Sequence, residues 1–93
     1  MAPPHLLRHS SGAIVLVGGR RLPGYGQRAV VSYDEGQTWS DQIIIRDDGP
    51  HGDLGYPCSI ELDDGSIYTV YYQYLAGQKK ASLLWSRWEL PEK

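Results

Sequence analysis

The segment Pro4-His-Leu-Leu-Arg-His-Ser-Ser-Gly12-Ala-Ile is echoed by Pro57-Cys-Ser-Ile-Glu-Leu-Asp-Asp-Gly65-Ser-Ile. Pro4, Leu7, Gly12, Ile14 and Val17 fall on Pro57, Ile60, Gly65, Ile67 and Val70, an offset of 53 residues. A chain of 93 residues that repeats itself once is built from two like units. At this length it forms one domain at most, and folding buries only roughly 60–65% of the unfolded surface. Each unit must therefore find cover for its apolar face.

The units read as β-structure. Eleven Gly and six Pro punctuate the chain, and no stretch carries a long 3.6-residue apolar period. Short runs rich in Val, Ile, Leu and Tyr predict strands near Leu6–His9, Ala13–Gly18, Arg28–Tyr33, Gln42–Arg46, Cys58–Leu62, Ser66–Tyr72 and Ala81–Trp88. Turns are predicted at Ser10-Ser11-Gly12, Asp34-Glu35-Gly36 and Asp63-Asp64-Gly65, each ending in a glycine that tolerates positive φ. A repeat of about 40–50 residues made of four short strands is the pattern of a β-propeller blade. The fold class expected is thus all-β, one domain over residues 1–93. It holds a four-stranded antiparallel blade over about 5–46 and an incomplete second blade over about 57–88.

Composition narrows the function. Hydrophobic residues make up 41%, which excludes a disordered tail, and the aromatic set is seven Tyr and three Trp with no Phe. Rings with a polar tip suit strands, interfaces and sugar-binding surfaces. A net charge of -2 with interspersed signs lacks a basic footprint, so no nucleic-acid partner is expected. The longest apolar run, Ala13 to Val17, is too short for a membrane helix, and no membrane partner is expected. Met1-Ala-Pro-Pro lacks the basic and apolar regions of a signal peptide, leaving a cytoplasmic chain or one without its original start. Cys58, the one cysteine, has no internal disulfide partner, and in an inner strand without a paired base it is no catalytic thiol. His5 and His9, four apart on a strand, would stand roughly 13 Å from each other, so no metal is expected. Gly18-Gly19 beside Arg20-Arg21 does not fit a phosphate loop, and no cofactor is implied.

Ser32-Tyr-Asp34-Glu-Gly36-Gln-Thr38-Trp39 fits the pattern S-x-D-x-G-x-T-W at all five defining positions. The residues explain themselves as a turn between the third and fourth strands. The Asp34 carboxylate can accept N–H groups of its own turn, Gly36 allows a left-handed residue, Thr38 restores strand geometry and Trp39 anchors the hairpin in the apolar core. The pattern resembles the Asp box of sialidase (neuraminidase)-like β-propellers. There its role is structural. The segment from Asp47 through Tyr72 also looks like the end of bacterial sialidase-like proteins: a loop, a Gly-Tyr ahead of a strand, then an Asp-Gly turn. The likeness runs from about Pro4 to Trp88.

The resemblance implies a six-bladed propeller of which this chain is the C-terminal portion. It implies a glycoside hydrolase acting on terminal sialic acid or a related acidic sugar. By position Tyr56 maps to the family's nucleophile, the Tyr that spares an anionic substrate the repulsion of a carboxylate. Arginines hold the substrate carboxylate in that family, since a planar fork matches it bidentately. Arg28 is the first candidate for this role and Arg20 the second, while adjacent Arg21 should point away. Asp53 is a further candidate for ligand contact. Tyr71, Tyr72 and Tyr74 are expected to pack in core and rim. Connections between the second and third strands and between the two blades share one face of a propeller, so Tyr56, Asp53 and the arginines are expected to converge. The Asp box lies on the opposite face. The chain departs from the best-known members in the distance from Arg28 to the Asp box and in Pro57, where those have Ser.

No residue here matches the family's acid, its activating Glu or its first arginine. An isolated chain is therefore expected to be inactive, as a piece of an enzyme completed by missing blades. A different class is a lectin-like module in which three copies close a six-bladed ring, and a third is a scaffold that has lost function. The partners implied are a glycan or acidic sugar and either the missing blades or further copies of the chain.

Overall fold

The computed structural model describes residues 2–91; Met1, Glu92 and Lys93 lie outside it. Among the described residues there are seven strands and no helix: β1 (Ala2–Arg8), β2 (Ile14–Arg20), β3 (Gly26–Ser32), β4 (Ile43–Arg46), β5 (Leu54–Glu61), β6 (Ile67–Gln73) and β7 (Ser82–Trp88). They form two antiparallel sheets, β1-β2-β3-β4 and β5-β6-β7. Each predicted strand matches one of these. Gly12, Gly36 and Gly65 take φ of 93°, 87° and 85°, as the predicted turns require. β1 and β5 begin four residues before their predicted starts, because register shifts absorb Pro3–Pro4 and Tyr56–Pro57 without ending the pairing.

The two sheets pack face to face. Val15, Val17 and Ala29 of the first sheet and Ile67 of the second form the core, flanked by Leu7, Ile43, Ile45, Trp88 and Leu90. Period-2 alternation sorts the remaining side chains. On β2, Val15 and Val17 point inward, whereas Ile14, Leu16 and Arg20 lie on the other face. On β6, Ile67, Thr69, Tyr71 and Gln73 are buried, and Tyr68, Val70 and Tyr72 face out. The 53-residue repeat thus reverses its environment: Leu7 and Val17 pack inward, but their counterparts Ile60 and Val70 lie on the outward face.

Both outward faces are apolar. The first carries Leu6 and Ile44, each 61% exposed, beside half-buried Ile14, Leu16 and Val30. The second carries Ile60, Leu83 and Trp85, 55%, 79% and 60% exposed, with Tyr68 stacked on Trp85 at 5.2 Å. Among the described residues the sheets end in four edge strands, β1 and β4 in the first and β5 and β7 in the second.

Antiparallel pairing fixes two rims. The near rim holds the β2–β3, β4–β5 and β6–β7 connections, and the far rim holds β1–β2, β3–β4 and β5–β6. Cross-sheet bonds tie like to like. On the near rim Arg21 Nε and Nη2 donate to the Leu54 carbonyl at 3.2 and 3.0 Å. On the far rim the Ser10 N–H and hydroxyl donate to Glu61, and the ring of His9 bonds the Gly65 carbonyl at 2.7 Å. His5 and His9 do not face each other, since His9 lies past the end of β1 and His5 Nδ1 accepts the Ser59 N–H at 3.1 Å.

Candidate functional site

Tyr56 stands on the near rim, within β5 and not ahead of it. Its φ of 49° is rare for a side-chain-bearing residue, rarer still before a proline. Gly55 precedes it at φ 126°, and the pair makes the bulge that turns the Tyr56 ring outward, 67% exposed. That backbone conformation costs on the order of 1–3 kcal/mol. The ring stacks on Tyr72 with centroids 5.7 Å apart and planes 27° from parallel. The Tyr72 hydroxyl donates to Asp53 Oδ1 at 2.8 Å. Burial, then the Asp53 bond and charge, hold the Tyr72 phenol above its ordinary pKa, and the Arg21 cation nearby opposes them. Tyr56, Tyr72, Asp53 and Arg21 thus form one cluster: two stacked rings, a carboxylate and a guanidinium whose Nη1 is not spent on Leu54.

Arg28 and Arg20 make a second cluster. Arg20 and Gly18 share the outward face of β2, and Arg28 pairs across from Gly18, so the two arginines are diagonal neighbours over a position with no side chain. Arg28 is only 6% exposed. Its Nη1 donates to the carbonyls of Arg46 at 2.7 Å and Gln27 at 3.3 Å, and its Nη2 to Gly24 at 2.8 Å. Burial and then the Arg20 charge lower its pKa, with Asp47 opposing. Arg28 therefore clamps the β2–β3 loop to the end of β4. Arg20 gives Nε to the Pro23 carbonyl at 3.2 Å and is half-buried, which leaves its two terminal nitrogens for a ligand.

Tyr56, Asp53, Arg28 and Arg20 all occupy the near rim, but the two clusters lie on the outward faces of different sheets. Tyr56 meets Asp53 through Tyr72; it does not meet Arg28 or Arg20 within the chain. The arginine beside it is Arg21, expected to point away. Alternation along β2 gave that expectation, and β2 ends at Arg20, so the rule does not reach Arg21. Tyr72 packs at the rim, stacked on Tyr56, and its hydroxyl also links the cluster. Cys58 is exposed on β5.

The Asp box occupies the far rim. Asp34 Oδ1 accepts the Thr38 N–H and the Ser32 hydroxyl, both at 2.8 Å, and Oδ2 accepts the Thr38 hydroxyl at 2.5 Å. Ser32 Oγ accepts the Gly36 N–H at 2.8 Å. These bonds, those from Thr38 foremost, lower the Asp34 pKa to about 2. Two expectations need correction. Thr38 does not restore a strand, because its N–H and hydroxyl are both turned back to Asp34 and β4 begins only at Ile43. Trp39 does not enter the core: it is 41% exposed and folds over its own turn, donating Nε1 to the Gly36 carbonyl at 3.1 Å.

Beneath the near rim, Gln27 and Gln73 are buried between the sheets, and the exposed carboxylate of Asp48 reaches one of them. Asp48 accepts Arg46 Nε at 2.6 Å and Gln73 Nε2 at 2.9 Å through the same oxygen. The Arg46 bond is the main cause holding the Asp48 carboxyl below its ordinary pKa. Among the described residues, wholly buried Gln27 has no partner at either side-chain amide atom, nor has Gln73 at Oε1.

No family model matches the sequence, and no curated protein matches it. Among solved structures, the crystal structure of an unknown-function protein from Dyadobacter fermentans DSM 18053 superposes on 96% of the chain with a TM-score of 0.86 and 30% identity. The chain spans 25% of that protein's length, so its seven-strand arrangement recurs there as a quarter of a larger molecule.

Proposed function

We propose that the two sheets are successive blades of a sialidase-like β-propeller and that their near rim forms part of a glycan site for a terminal acidic sugar. The observation that carries this reading is the Tyr56 cluster. An exposed ring held at positive φ, stacked on Tyr72 and flanked by Asp53 and Arg21, offers an apolar platform, an acceptor and a cation within one patch. Those are the groups a carboxylated sugar needs: a ring face to stack on, a partner for hydroxyls and a fork for the carboxylate. The closed hydrogen-bond set of Ser32, Asp34, Gly36 and Thr38 on the opposite rim supports the family resemblance.

In the hydrolytic form of this reading, the Tyr56 hydroxyl gives its proton to a base and attacks the anomeric carbon, an acid supplied from outside this chain protonates the leaving oxygen as its bond breaks, and water then displaces Tyr56 from the sugar. The family's base is a Glu with no match in this chain, so the chain by itself binds and does not turn over. The test is titration of N-acetylneuraminic acid and of neutral galactose against the protein, followed by NMR of the tyrosine rings. Binding of the acid alone, with Tyr56→Ala weakening it by about tenfold, is the expected result. Equal affinity for both sugars, or an indifferent Tyr56→Ala, would sink the reading. For the catalytic part, grafting the chain onto a complete homologous ring should give turnover that Tyr56→Phe removes.

A further inference from the structure

We infer that a second copy of this chain docks head to tail, its first sheet's outward face against this chain's second-sheet outward face, and that this brings Arg20 of one copy to Tyr56, Tyr72 and Asp53 of the other. The interface inside the chain is the template. There the second sheet is buried through Ile67, Thr69, Tyr71 and Gln73 against the first sheet's Leu7, Val15, Val17 and Ala29. The 53-residue repeat places Ile14, Leu16, Gly18 and Arg20 at the positions of Ile67, Thr69, Tyr71 and Gln73. It likewise places Ile60, Tyr68 and Val70 at the positions of Leu7, Val15 and Val17. Each uncovered face is thus the repeat counterpart of one half of the covered interface, and the two halves belong together.

The uncovered residues fit this occupant. Leu6 and Ile44 on one face, and Ile60, Leu83 and Trp85 on the other, are each at least 55% exposed. These are two apolar surfaces of a kind that soluble monomers rarely leave open. A contact of one face with the other is heterologous, so it propagates to a ring or a filament and does not stop at a symmetric dimer. With rims aligned as they are inside the chain, the near rim of one face brings Arg20 to the Asp53 carboxylate of the other, a patch that also holds Arg21. Docking would therefore unite the two clusters that a single chain keeps apart. The docking rests on the repeat and the exposed faces; only the meaning of the united cluster rests on the sugar-site reading.

Sedimentation of the full chain across concentration, with two variants, tests this. Leu83→Lys/Trp85→Glu spoils one face and Leu6→Lys/Ile44→Lys the other; all four side chains are exposed, and far-ultraviolet circular dichroism checks that both variants fold. The wild type should form discrete multimers or filaments, each variant alone should be monomeric, and the mixture should give a one-to-one complex. A monomeric wild type, as when the faces serve further sheets of a longer chain, overturns the proposal. So does a variant that self-associates alone, because that contact is isologous. In a Cys58→Ser background, Arg20→Cys in the first variant should be joined to Asp53→Cys in the second by a short bifunctional maleimide. The reverse placement, Asp53→Cys in the first and Arg20→Cys in the second, should stay unjoined. Failure of that asymmetry overturns the shared cluster whatever the sugar titration gives, and loss of sugar binding with docking intact overturns only the sugar reading.

Discussion

Asp34 shows how much a single carboxylate can organise: three hydrogen bonds from Ser32 and Thr38 converge on its two oxygens and hold its pKa at about 2. The sign of the pH effect follows. The folded value lies below the ordinary value of 3.8, so the stabilisation is fully present above about pH 4 and is lost as pH falls through 2. Asp34→Asn should lower the urea midpoint at pH 7, and the gap to the wild type should close on acidification toward pH 2. A gap independent of pH would mean that the charge does not contribute. Gly26 is fixed by a different constraint. A Cβ there would sit 1.9 Å from the Arg46 carbonyl oxygen, at the start of the β3–β4 pairing. Gly26→Ala should therefore cost about 3 kcal/mol or more in urea unfolding, since backbone cannot yield as a flexible side chain can. Ser32, Asp34 and Gly36 were legible in the sequence because every partner they use lies within four residues. Arg21 was not, because its partner is Leu54, 33 positions away.

Strands were legible for the same reason that two of their boundaries, the starts of β1 and β5, were not. Alternation of Val and Ile against polar residues announces β2, β3 and β6, but β5 opens with Leu54-Gly55-Tyr56-Pro57, which reads locally as a loop. Pairing to β6 overrides that local reading and leaves the strain at Tyr56. Inside the second sheet, Thr69 joins all three strands: its hydroxyl accepts Trp88 Nε1 at 2.9 Å and meets Ser59 Oγ at 2.8 Å, wholly buried. Thr69→Val keeps the shape and strips the partner from both groups. It should cost about 2 kcal/mol in chemical denaturation, mostly the penalty of leaving the buried Ser59 hydroxyl and the half-buried Trp88 N–H unpaired. The opposite outcome is expected at Gln27, whose buried side-chain amide has no partner among the described residues. Gln27→Met replaces it with an apolar side chain of similar length and should raise stability by about 1–2 kcal/mol. Nothing in the sequence signals either, since Thr69 reads as an ordinary polar interruption of a strand and Gln27 falls just ahead of the strand predicted from Arg28.

Across the whole molecule, the decisive quantity is how little of each sheet a partner sheet covers. One face of each is buried in the core and the other is apolar and open, so the described chain has two cores' worth of side chains and one core. The repeat announced two units; it did not announce which faces would meet, since Leu7 and Ile60 are equivalent in sequence and opposite in burial. If the open faces cover one another between copies, folding and association are linked, and stability must depend on protein concentration. Mass action stabilises a folded state by about 1.4 kcal/mol for each tenfold rise of a partner above its dissociation constant. For a domain of this size that corresponds to a melting temperature climbing roughly 5 °C or more per decade of concentration. Calorimetric scans at graded concentrations should show this climb in the wild type. They should show none in Leu83→Lys/Trp85→Glu, whose melting point should sit at the low-concentration limit. If that variant instead melts at the same temperature as the wild type at every concentration, the open faces are indifferent to stability and the fold stands on its single core.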